Sequence, residues 1–188
     1  MKLLILIMLI SSTSHALIDG DKVGNGGGLW VCQDKNQKVL KASLVDLYEA
    51  RHEFGLTLIK PSETDPRKIA EERRAFLIKN LPEYGTAWSP IMDATLAKIR
   101  YVDSLLETIN DALYRIKPLP KDCAGKWKYE QFANFTNQSQ VLIRQDFWTS
   151  SAIQPLDKAA LLWHETIYKW HVIIMLIKTL CAHARSSA

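Results

Sequence analysis

The chain has 188 residues, a formal net charge of +4, 47% hydrophobic and 23% charged residues. That length suits one domain with a sizeable core. Its Lys and Arg residues are scattered among acids, so composition gives no argument for a nucleic-acid partner.

Residues 1–16 read as a signal peptide. Lys2 supplies a basic start, residues 3–10 an apolar run too short for a permanent membrane anchor, and Ser14-His15-Ala16 a small-x-small cleavage site. Loss of Lys2 takes the charge from +4 to +3. Residues 17–28 are a glycine-rich leader. Its Gly24-Asn25-Gly26-Gly27-Gly28 cluster is either flexible or a loop that lets backbone pass close to a neighbour. It lacks the Lys and the strand-loop-helix setting of a phosphate-binding loop. Residues 29–188 are expected to form a single globular α+β domain, mainly α, with about four helices and a small antiparallel sheet built from short hairpins.

Residues 29–32 and 38–42 read as a hairpin around Asp34-Lys35-Asn36. Ser43 suits the N-cap of a helix ending near Gly55, with Leu44, Leu47, Tyr48, Arg51 and Phe54 on one face and Asp46, Glu49 and Glu53 solvated. Asp65-Pro66 opens a second helix that buries Ile69, Phe76 and Leu77 and stops at Leu81-Pro82. A third is expected over residues 89–109 on the spacing of Ile91, Leu96, Ile99, Val102, Leu106 and Ile109. Residues 113–116 read as a strand, 126–135 as another, and 141–143 as its hairpin partner. Asn134-Phe135-Thr136 and Asn137-Gln138-Ser139 fit the N-glycosylation pattern, which matters only in a eukaryotic source. Asp146-Phe147-Trp148 makes a short helical turn.

Export implies an oxidising compartment, periplasmic or secreted. Cys32 and Cys123 lie among turn residues, whereas Cys181 falls on an apolar stripe. This favours a Cys32–Cys123 bridge and a buried Cys181 thiol, although spacing alone leaves the pairing open.

A last helix starts at Pro155 and runs to about residue 183, with Leu156, Ala160, Trp163, Ile167, Trp170, Ile174 and Cys181 on one stripe. Residues 172–177 are apolar on every face, so residues 170–181 offer deep burial or a homo-oligomer contact. His164 and Glu165 stand at the border of the stripe. With Tyr168 they echo the zinc-peptidase helix His-Glu-x-x-His, with Tyr in place of the second His. His171 is seven residues on, about 10.5 Å along the axis. That is a long reach for two imidazoles that must each come within about 2.0–2.1 Å of one zinc. The chemical candidates are therefore His164, Glu165 and Tyr168, with His164 as the one nameable zinc ligand and no cofactor expected. The plainer alternative makes His164 and Glu165 polar staples to the helix of residues 46–51, through Glu49 or Arg51.

These landmarks resemble a group of exported bacterial proteins of unknown function, associated with predatory bacteria and their relatives. The shared pattern is Gly24-Asn25-Gly26-Gly27, Val31-Cys32, residues 46–51 (DLYEAR), Cys123, residues 130–133 (EQFA), Asp146-Phe147-Trp148 and residues 158–169 (KAALLWHETIYK). The resemblance implies a periplasmic or secreted address, fits the Cys32–Cys123 pairing and implies no activity. Gly28 stands where the group has an acidic residue, and His171 lies outside the pattern, whereas Tyr168 belongs to it. Two functions follow as expectations. One is a structural or interaction protein of the cell envelope, bound to an envelope component or a protein partner. The other is a hydrolase on wall polymer or peptide, a degenerate zincin.

Overall fold

The computed structural model describes residues 27–107, 122–136 and 140–186, with side chains up to residue 174 in the last stretch. The expected signal peptide, Gly24 to Gly26, the strand expected at 113–116 and the second tripeptide of glycosylation pattern lie outside the described residues. Among the described residues the architecture is α+β, mainly α, with five helices and two three-stranded sheets.

Strand β1 (Gly28–Gln33) lies between β2 (Val39–Leu44) and β4 (Lys126–Gln131), antiparallel to both. The expected hairpin turn is present, with the Asp34 carboxylate accepting the N–H groups of Asn36 at 2.8 Å and Lys38 at 2.9 Å. The two-residue strand period sends Leu29 and Val31 into the main core, and Trp30 to the opposite face against Val45 and Tyr48. Cys32 is buried and disulfide-bonded to Cys123.

The second sheet has the order β3 (Ile99–Val102), β6 (Val141–Arg144), β5 (Ala133–Phe135). Its β5–β6 pair is antiparallel and its β3–β6 pair parallel. This corrects the expectation of antiparallel hairpins alone. The third helix is corrected too: α3 is Pro82–Leu96, and Ile99 and Val102 belong to a strand. Pro82 supplies the first helical position that the apolar spacing overlooked. A β-branched segment such as Ile99–Val102 fits a strand once β6 offers it a ladder. The strand expected over 126–135 is cut in two at Phe132: its N–H still donates to the Gly27 carbonyl beside β1 at 2.9 Å, while its carbonyl accepts the Arg144 N–H of β6 at 3.0 Å. Asn134 is a buried residue of β5 whose amide donates to the Glu107 carbonyl at 3.3 Å, a poor setting for a glycan.

Helix α1 (Val45–His52) is shorter than expected. Its N-cap is Leu44 rather than Ser43, with no side-chain cap, and Phe54 is 69% exposed. Gly55 takes the left-handed conformation at φ 61° that turns the chain away. Helix α2 (Pro66–Asn80) opens as the sequence requires, Asp65 accepting the N–H groups of Arg67 and Lys68. After the short α4 (Gln145–Thr149), α5 (Pro155–Ser186) packs on α2 and α3, with Trp163 bonded to Ala70 of α2 and edge-on to Trp88 of α3. Among the described residues no helix is long and apolar enough to cross a membrane.

The bridge closes a span of 91 residues. In the chain-entropy picture that stabilises the fold by about 4.6 kcal/mol. Replacing Cys32 and Cys123 together by Ser should lower the urea midpoint by a corresponding amount, and reductant should do the same to the parent chain but not to the variant.

Candidate functional site

On an α-helix consecutive residues point about 100° apart. Along α5 this sends neighbouring polar residues to different partners. Asp157, in the first turn, is buried and accepts the Leu44 N–H at 2.7 Å and the Ser43 hydroxyl at 3.4 Å. It thereby holds the β2–α1 junction. Trp163 donates its indole N–H to the Ala70 carbonyl of α2 at 3.1 Å.

Glu165 is 1% exposed, and its Oε1 accepts the Gly27 N–H at 3.2 Å. Its Oε2 has no partner among the described residues. Burial raises the Glu165 pKa, the nearby Asp46 adds to the rise, and the His164 imidazole and the Gly27 N–H oppose it. At Gly27 a Cβ would lie 2.1 Å from a Leu161 methyl, so a larger residue there would have to displace that side chain. Its carbonyl accepts from both Phe132 and Ala133. At Gly28 a Cβ would meet the Tyr129 ring, with its hydroxyl 2.3 Å away. The supposed leader 17–28 is thus corrected at its end, since Gly27 and Gly28 are built into the fold.

His164 turns the other way. Its Nδ1 lies 2.6 Å from Asp46 Oδ2 on α1. A staple to this helix is present, and its partner is Asp46, read from the sequence as solvated. His164 and Asp46 line a cavity of about 620 Å³. Its other walls are Leu47 of α1, residues 56–59, Ile69, Arg73, Phe76 and Leu77 of α2, Trp88 of α3, and Leu156, Ala159, Ala160, Trp163 and Ile167 of α5. Ala159 and Ala160, between the larger Leu156 and Trp163, leave the floor low. Leu56, Ile59, Phe76 and Ile167 are 57%, 62%, 48% and 42% exposed, so the groove opens with an apolar rim.

Glu165 and Tyr168 do not line this groove, and Tyr168 packs edge-on against Phe135 with ring centroids 5.6 Å apart. The structure therefore brings His164 together with Asp46, and does not bring His164, Glu165 and Tyr168 together in one cleft. His52 and His171 are both exposed, and His52 stacks on Tyr48 at 4.3 Å. Among the described residues no three His, Cys, Asp or Glu side chains are grouped to hold a metal ion. Sequence reasoning missed Asp46, Gly27, Arg73 and the loop of residues 56–59. For Asp46 the signal was its place in the same motif pattern as His164.

The sign of the Glu165 effect follows from its raised pKa. The folded chain holds this proton more tightly than the unfolded chain. The stabilisation is complete below the unfolded value of about 4.3 and is lost as pH rises through the folded value. The urea midpoint should therefore fall as pH rises from about 4. Glu165→Gln keeps an acceptor for Gly27 and should remove Glu165's share of the slope. Asp157, also raised by burial against the pull of Leu44, Arg51 and Ser43, should retain its own share. A Gln variant with the parent's full slope contradicts the assignment. For the other couple, a double-mutant cycle on Asp46→Asn and His164→Gln should give about 1 kcal/mol of coupling, because the carboxylate is 45% exposed.

No family model, no curated protein and no solved structure matches the chain.

Proposed function

We propose that the chain is an exported cell-envelope protein of the bacterial group its motifs resemble, and that it works by binding an apolar ligand in the groove beside His164 and Asp46. Export is supported by the signal-like residues 1–16 and by the Cys32–Cys123 disulfide. The observation that carries the binding reading is the groove itself. At about 620 Å³ it lies within the usual range of ligand sites, its walls are overwhelmingly apolar, and its polar side chains are few: Asp46, Thr57, Arg73 and His164. Large apolar side chains gathered at a rim, as Leu56, Ile59, Phe76 and Ile167 are, mark surfaces that get covered.

A neutral apolar dye such as N-phenyl-1-naphthylamine should bind saturably and quench Trp88 and Trp163 in the groove wall. Ile167→Asp, at a half-exposed position, should weaken dye binding on the order of tenfold while leaving the melting temperature nearly unchanged. Binding that is unsaturable, or indifferent to this substitution, removes the groove as the site.

A hydrolase acting on wall polymer or peptide is the second reading, and one observation favours it. Asp46 orients the His164 imidazole beside a cavity, which is the base-and-orienter half of a nucleophilic triad. Thr57 carries the one hydroxyl among the side chains lining the groove. Ester turnover that disappears in both His164→Gln and Thr57→Ala would move the assignment to this reading.

A further inference from the structure

We infer that the ligand of the groove is a fatty carboxylate whose anionic head is taken by Arg73. The inference rests on the binding reading above and adds the chemical class. Three ionisable side chains line the cavity: Asp46, Arg73 and His164. Asp46 is engaged by His164 at 2.6 Å. Arg73 makes no ion pair among the described residues, and its Nη2 donates to the Ile59 carbonyl at 2.9 Å. The next residue differs, since Arg74 is held by Glu71 and by Asp93 at 2.6 Å. Of the groove's three ionisable groups Arg73 is thus the one with no ionisable partner among the described residues, and it shares the lining with Leu56, Ile59, Phe76 and Leu77.

The Ile59 bond occupies one N–H of a guanidinium that carries five. It also fixes the planar fork at the groove and ties residues 56–59 to α2. A carboxylate meets such a fork with two parallel hydrogen bonds, while an alkyl chain lies along the apolar wall. A neutral head would leave the cation unmatched, and a cationic head would be repelled.

Decanoate, 1-decanol and decyltrimethylammonium share one chain and differ in head charge. Isothermal titration of the mature chain should give decanoate an affinity on the order of tenfold above decanol, as one charge-assisted hydrogen bond is expected to supply, and the ammonium the weakest. Arg73→Gln should bring decanoate down to the decanol level without moving decanol, and Arg73→Lys should restore part of the preference. With the parent chain alone, the preference should shrink from low to high salt. Equal affinity of acid and alcohol, or a preference untouched by salt and by Arg73→Gln, overturns the fatty-carboxylate inference and leaves apolar binding standing. If none of the three binds or displaces the naphthylamine dye, both fall.

Discussion

The fold turns on one buried carboxyl group that meets one glycine. Gly27 sits where both sheets and α5 come together. Its N–H is taken by Glu165, its carbonyl by the N–H groups of Phe132 and Ala133, and the space its side chain would need by Leu161. Phe132 is the residue at which the chain leaves β4 for β5, and so passes from one sheet to the other. The junction combines a residue whose lack of a Cβ leaves room for Leu161 with an acceptor reaching out of the helix. An ionised carboxylate at this depth would be very expensive, and burial instead shifts the group toward its neutral form. A neutral carboxyl can still accept the Gly27 N–H, so the link survives the loss of charge.

Because Glu165 is committed to the core, its neighbour is free to serve the opposite side of the rod. The step of about 100° between consecutive residues turns His164 toward α1 and the groove. Asp157, two turns earlier, has already fixed where α1 begins by holding the Leu44 N–H. The position of Asp46 in the first turn of α1 follows from that anchor, and with it the 2.6 Å contact to His164. The two adjacent residues thus have different hydrogen-bond partners, Gly27 for Glu165 and Asp46 for His164, although the charges of His164 and Asp46 still act on the Glu165 carboxyl.

Much of the local structure was legible because it is written in short-range chemistry. Asp65-Pro66 announces a helix start by capping and by ring geometry, and Asp34-Lys35-Asn36 announces a turn. The Cys32–Cys123 pairing was legible from the surroundings of the three thiols. What was not legible depends on distant partners. Ile99 and Val102 fit a helical stripe as well as a strand, and only β6 decides between them. The break at Phe132 is invisible without Gly27. Phe76 was read as core from its spacing, yet it is 48% exposed at the rim of a groove. Periodicity tells which face of a helix is apolar, and cannot tell whether the protein itself covers that face.

The same argument separates the two polar residues that drew attention in the sequence. The pair His164-Glu165 looked like one chemical unit because the residues are adjacent and because metal-binding helices use that dipeptide. Adjacency on a helix is the arrangement least able to make a unit, since side chains meet at three- and four-residue steps. In the metalloprotease helix the His is joined by a second His one turn on, and here that place is filled by Tyr168, which packs on Phe135. The group that does join His164 comes from another helix, 118 residues away in the chain. The dipeptide and residues 46–51 are thus linked by architecture: His164 meets that helix through Asp46 while Glu165 holds the Gly27 N–H.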